Sequence, residues 1–230
     1  MKEIQLVIFD MAGTTVVDDG QVPDAFRTVL QAHGIEVDEE ALRSVRGASK
    51  REAIRGFVER HFPRQPGEVG QWTDRIFADF RDHLANRFAH GGVRAIPGAA
   101  QTFSWLHGQG IKVALNTGFD RMITDLLLRA IGWDHRTVDA VICGDDVLLG
   151  RPAPFLIFRA MEATGVVSVH RVMNVGDTVL DLQAGWNAGV AQNIGVLSGA
   201  HSRDLLEKAP HTRLISSVAD LPALWSKDLG

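Results

Sequence analysis

The stretch IQLVIFDMAGTT, residues 4–15, opens with a short apolar run rich in branched side chains and ends it on one carboxylate, Asp10. A run of this length without polar alternation reads as a strand buried on both faces, the usual state of strands in a parallel sheet. The Gly13-Thr14-Thr15 turn that follows leaves Asp10 at the strand's carboxyl end.

Similar runs recur at 113–116, 140–143, 172–175 and 194–197. Helical periodicity fills 99–107, 121–131, 154–163 and 178–188 between them. Strand alternating with helix predicts an α/β fold, a doubly wound Rossmann-like parallel sheet. The rhythm breaks after Thr15. From there to residue 95 the chain shows helical periodicity at 24–33, 39–45, 50–61 and 71–88, with no strand. The expectation is a catalytic core over 1–16 and 96–230 with an α-helical cap inserted over 17–95. Open α/β sheets bind ligands at the carboxyl ends of their strands, and an inserted lid there would exclude water.

The 230 residues carry a net charge of -4 and no basic run, which argues against a nucleic-acid or acidic-membrane partner. No apolar segment is long enough to span a bilayer. The single cysteine, Cys143, cannot form an internal disulfide, so a reducing, cytoplasmic setting is expected. The nine histidines show no spacing suited to zinc. Trp72, Phe77, Phe80, Leu84 and Phe88 recur at near-helical spacing and read as cap packing or a subunit contact. Asp18-Asp19-Gly20 reads as the turn into the cap.

An isolated Asp10 would pass for a turn residue. Three further strand ends change its weight: Asn116-Thr117-Gly118, Gly150-Arg151-Pro152 before a helix, and Gly176-Asp177 with Asp181 four residues on. These are the parts of a phosphoryl-transfer site. Asp10 would attack phosphorus, helped by a divalent cation that prefers oxygen ligands. Thr117 and Arg151 would hold the other phosphoryl oxygens, with Gly118 beside them. Asp177 would bind the metal, and Asp181, one helical turn later, would bind it through water or orient its neighbours. Taken alone, Asp177 and Asp181 would be helix-capping acids.

With these four motifs in this order over nearly its whole length, the chain resembles the haloacid dehalogenase superfamily of aspartate-nucleophile hydrolases. The resemblance implies Mg2+ held by Asp10, the Ala12 carbonyl, Asp177 and Asp181. Most phosphatases of that superfamily carry a second acid two residues after the nucleophile and a lysine before the last motif. This chain has Ala12 and Arg151 at those places. Both departures resemble the phosphonoacetaldehyde hydrolase (phosphonatase) branch.

The alanine has a chemical reading. A departing ester oxygen gains from a nearby proton donor, by about 10²–10⁴-fold. The carbon leaving a phosphonate has no lone pair to protonate and needs an electron sink, which a protonated imine made from a β-carbonyl supplies. Lys50 is the candidate amine. Ser49 and Glu52 form an S-x-x-E capping pattern that makes Lys50 the first residue of a helix. The helix dipole, Arg46, Arg51 and closure of the cap would all lower its pKa. Read alone, a helical lysine is a solvated surface residue. The resemblance assigns it the Schiff-base role, because the branch's lysine follows a glycine by three, as Lys50 follows Gly47, which would line the substrate. Two departures accompany it: Ala53 and Phe119 stand where phosphonatase has a histidine and a tyrosine, and the chain has no tyrosine.

The expected function is magnesium-dependent hydrolysis of the C–P bond of a 2-oxoalkylphosphonate. The alternatives are a phosphate-monoester phosphatase with an atypical general acid, or a binding protein with an eroded site. The resemblance also implies a homodimer formed through the cap.

Overall fold

The computed structural model describes residues 4–62 and 66–228. Its six strands are β1 (Leu6–Asp10), β2 (Lys112–Asn116), β3 (Ala140–Ile142), β4 (Val172–Gly176), β5 (Gln192–Val196) and β6 (Arg213–Ile215). They form one parallel sheet in the order β3-β2-β1-β4-β5-β6. The chain builds outward from β1 on one side, then crosses to its other side for β4. That reversal is where an open sheet parts its loops to make a crevice.

Before β2 the chain forms α1 (Gln21–Ala32), α2 (Glu39–Ser44), α3 (Lys50–His61) and α4 (Pro66–Gly91). It leaves and rejoins the core at one place: Val16 bridges Ala95, and the Val17 N–H donates to the Arg94 carbonyl at 2.9 Å. We take 17–95 as the inserted cap on that basis. Helices α1, α3 and α4 pack together around Phe26, whose ring lies 4.6 Å from Phe80 and 6.3 Å from Phe57. Phe80, Leu84 and Phe88 are buried, so most of the aromatic stripe serves cap packing.

The core helices are α5 (Ala99–Gly108), α6 (Arg121–Ile131), α7 (Phe155–Thr164), α8 (Val179–Ala188), α9 (Arg203–Leu206) and α10 (Leu221–Asp228). Side chains alternate across a strand, and β1 shows the result. Val7 and Phe9 join the cluster containing Phe103 of α5 and Ile123 of α6, while Leu6 and Ile8 join Leu156 of α7 and Ala184 of α8. Helices therefore cover both faces, and β1 needs no polar residue until Asp10. The fold is the expected α/β arrangement. Strand β5 starts two residues before the expected run, and α4 is longer at both ends than its apolar stripe. Strand β6 was not legible: it is a three-residue edge strand that begins on exposed Arg213 and has no apolar run to mark it.

Candidate active site

Parallel pairing brings the motifs level. Asp10 stands opposite Asn116 on β2, and Phe9 opposite Val175 on β4, so residues 10, 117 and 177 emerge at the same edge. Arg151 is buried in the centre of this edge. Its Nη1 lies 2.8 Å from Asp10 Oδ1 and its Nε 2.9 Å from Asp181 Oδ1. It also donates to the Asn116 carbonyl at 3.2 Å, to Asn116 Oδ1, and to the Gly47 carbonyl of the cap at 3.2 Å. Burial opposes the guanidinium charge, but Asp181 and Asp10 outweigh it and raise the Arg151 pKa further.

Asp181 also fulfils the capping role open to it. Its Oδ2 accepts from Thr178 Oγ1 at 2.5 Å and from the Thr178 N–H at 3.0 Å, while its Oδ1 faces Arg151. Asp177 accepts from Thr14 Oγ1 at 3.0 Å and from the Ala200 N–H at 2.7 Å. A Cβ on Gly13 or Gly199 would stand 2.4 or 2.0 Å from Asp177 Oδ2, so glycine backbone forms the wall around that carboxylate.

The oxygens of Asp10, Asp177 and Asp181 can lie within 4.8 Å of one another. Burial pushes Asp10 up to about 7 against the pull of Arg151, with Asp181 adding to the rise. Burial first, then Asp10 and Asp181, raises Asp177 well above the carboxylate range. Three buried carboxyl groups share one guanidinium, so ionising all of them leaves negative charge uncompensated, which is what the raised values of Asp10 and Asp177 reflect. An oxygen-liganded divalent cation fits that deficit, and Ala12 lines the same cavity.

The cap supplies the opposite wall. Lys50 is 8% exposed; its Nζ donates to the Ala48 carbonyl at 3.1 Å and sits 4.9 Å from the centroid of the Phe119 ring. Its backbone N–H donates to the Gly118 carbonyl at 3.0 Å. Contact here is backbone against backbone: a Cβ on Gly118 would meet the Ala48 carbonyl oxygen at 2.3 Å. Gly47, at φ +82°, stands where a Cβ would meet Thr178 Oγ1 at 2.3 Å. Burial lowers Lys50 from 10.5 to about 8, against the pull of Asp10 and with the help of Arg151.

Two local expectations are corrected. Arg46 and Arg51 are not the cations acting on Lys50, because they pair with Asp18 and Asp74. The capping pattern closes by half: Ser49 Oγ accepts the Glu52 N–H at 3.5 Å, but the Glu52 carboxylate turns outward to accept the Gly150 N–H at 2.7 Å.

A cavity of ≈ 40 Å³ lies between cap and core, and Asp10, Gly47, Lys50, Thr117, Gly118 and Arg151 all line it. The sequence reading missed Thr14, Asn116 and Ala200, which support Asp177 and Arg151; Ala200 also lines the cavity. The first two lie inside the quoted motifs, whereas nothing in the sequence signals Ala200.

The family model for haloacid dehalogenase-like hydrolase matches residues 4–189. A phosphonoacetaldehyde hydrolase of Latilactobacillus sakei is 30% identical, with 99% of this chain and 97% of the relative covered. One from Bacillus cytotoxicus is also 30% identical, over 90% and 80%. Among solved structures, a hydrolase from Pseudomonas syringae superposes with a TM-score of 0.85 at 22% identity, covering 98% of this chain and 100% of that one. A phosphonoacetaldehyde hydrolase-like protein from Oleispira antarctica gives 0.78 at 23%, covering 97% and 91%. A family model over most of the chain and relatives 30% identical along nearly its whole length establish the family: the chain belongs to the haloacid dehalogenase-like hydrolases, on their phosphonatase-like branch.

Proposed function

We propose that the enzyme hydrolyses the carbon–phosphorus bond of a small 2-oxoalkylphosphonate. One observation carries this reading: a buried amine, Lys50 at about 8, shares a cavity with Asp10, while position 12 offers no carboxyl group. The Lys50 amine adds to the carbonyl carbon, and loss of water leaves an iminium. Asp10 attacks phosphorus, and the C–P bonding electrons pass into the iminium to give an enamine and an aspartyl phosphate. Protonation of the enamine carbon and addition of water release the carbonyl product from Lys50. A second water cleaves the aspartyl phosphate, so the net reaction consumes one water.

Arg151 and Thr117 bind the phosphoryl oxygens, and Asp181 fixes the Arg151 fork. Mg2+, held by Asp10, Asp177, Asp181 and the Ala12 carbonyl, would neutralise charge on phosphate and carboxylates. Phe119 and the cap backbone keep water from the Lys50 amine, which holds it unprotonated nearer neutral pH.

Borohydride reduction in the presence of phosphonoacetaldehyde tests the proposal. The expected result is a stable adduct on Lys50 by peptide mass mapping. No adduct, together with an active Lys50→Ala enzyme, rules it out. The second reading, a phosphate-monoester phosphatase, draws on Asp18, a carboxylate lining the cavity that could protonate a leaving oxygen. It predicts turnover of phosphomonoesters that is indifferent to Lys50. A cytoplasmic location and a dimer through the cap complete the proposal; the lone buried Cys143 supports the first, and sedimentation measures the second.

A further inference from the structure

The cap contributes an apolar part of the same cavity's lining. Val22, Phe26, Leu42 and Val45 line it with apolar surface, and Phe26 and Leu42 are almost wholly buried. One charged pair interrupts this wall. Arg46 Nη1 lies 3.1 Å from Asp18 Oδ2, with the two side chains 28% and 11% exposed. The other Asp18 oxygen accepts the Gly20 N–H at 3.1 Å, which fixes the carboxylate in the turn before α1. The Arg46 guanidinium therefore reaches the cavity with its charge already matched.

This arrangement bears on the substrate. If phosphorus sits at Asp10 among the polar core groups and the carbonyl carbon at Lys50 of the cap, the apolar cap lining is the wall left to receive the third substituent on that carbon. An apolar group there leaves water at no electrostatic cost. A carboxylate there would need a cation, and the cation present is taken; burying the charge unpaired is expensive. The ≈ 40 Å³ of open space is shared by the whole substrate, which keeps this group small.

We propose that the wall of Val22, Phe26, Leu42 and Val45 is a subsite for hydrogen or a short uncharged alkyl group on the carbonyl carbon. Asp18 is its specificity determinant: by neutralising Arg46 it turns away 2-oxo-phosphonates that carry a carboxylate at that position. The proposal rests on the carbon–phosphorus reading above and names the substrate class for it.

The test compares phosphate release from phosphonoacetaldehyde, 2-oxopropylphosphonate and 3-phosphonopyruvate, which bear hydrogen, methyl and carboxylate there. The wild-type enzyme is expected to favour the better uncharged substrate over the carboxylate by about 100-fold or more in kcat/KM. Asp18→Asn frees Arg46 and should narrow that ratio about tenfold, mainly through a lower KM for the carboxylate. Adding Arg46→Gln should restore the wild-type ratio. Equal wild-type turnover of carboxylate and uncharged substrates overturns the proposal without need of a variant. So does a folded Asp18→Asn enzyme whose ratio stays put. Cleavage of none of the three, with no borohydride adduct, sinks the carbon–phosphorus reading itself and the subsite with it.

Discussion

Glu52 Oε1 accepts the Gly150 backbone N–H at 2.7 Å, joining residues 98 apart in the chain. Glu52 stands two residues after Lys50, and Gly150 immediately precedes Arg151. One hydrogen bond thus ties the cap helix bearing Lys50 to the core loop bearing Arg151.

Removing that acceptor should loosen the closed site. A charged hydrogen bond contributes about 1.5–3 kcal/mol, so Glu52→Ala should lower kcat/KM roughly tenfold or more. Glu52→Gln keeps an oxygen acceptor and should stay within a few-fold of wild type. Steady-state kinetics and the rate of borohydride trapping at Lys50 measure both. An Ala variant as active as the Gln variant removes the latch from the mechanism.

The pH profile follows from two buried groups. Lys50 reacts only as the free amine, so with its pKa lowered to about 8 the trapping rate climbs through pH 7 and levels off above 8. A solvated lysine at 10.5 would continue to climb past pH 10. Asp10 must be ionised to attack, and its value near 7 adds a second rising limb below neutrality. Divalent cation favours the carboxylate and should move that lower limb toward acid while leaving the limb near 8 in place. Trapping and phosphate release across pH 5–10 separate the two.

Arg151 matters to the fold as well as the site. Arg151→Met strands the Asp10 and Asp181 carboxylates in the interior, a loss of about 3–5 kcal/mol. The sign with pH is set by the raised carboxyl groups. Native Asp10 and Asp177 hold protons that the unfolded chain releases, so the deficit should grow as pH rises and shrink in acid. Magnesium binding to the folded state should return part of the loss. Thermal melts of both proteins, with magnesium and with chelator, at pH 5.5 and 8 check each point.

Gly118→Ala should separate closure from stability. The added Cβ would meet the Ala48 carbonyl at 2.3 Å, and backbone on both sides leaves no flexible atom to give way. Activity should fall about 100-fold or more while the core, which does not contain that contact, keeps its melting temperature. Unchanged kcat/KM would mean that the chemistry does not require the closed arrangement.

Four of the six strands were legible because each is a short apolar run, buried in β1 and β4 and half-buried at the edge strand β3; the helices between β1 and β2 were legible because helical periodicity displaced the strand rhythm after Thr15. Strand β5 was legible with a two-residue error, since Gln192 and Asn193 begin it as polar residues, Asn193 being held by hydrogen bonds to the Leu182 and Pro210 carbonyls. Asp10, Thr117, Arg151 and Asp177 stood out because strand ends concentrate chemistry in this architecture. What stayed hidden was partner choice over distance. Ser49-x-x-Glu52 looks like a closed local cap, yet Glu52 found Gly150; Arg46 looks like a cation near Lys50, yet Asp18 took its charge. Local spacing cannot reveal a competitor that tertiary structure brings from dozens of residues away.

Lys50 belongs to the lid and Asp10 to the base. In the proposed reaction the substrate is sewn to both halves in succession, its carbon to Lys50 and its phosphorus to Asp10. Until the first stitch is cut the lid drags its cargo with it, so the order of the chemistry doubles as a clock for opening. Release of the carbonyl product from the lysine cuts that tie, and the water that frees the phosphate then acts on the base alone.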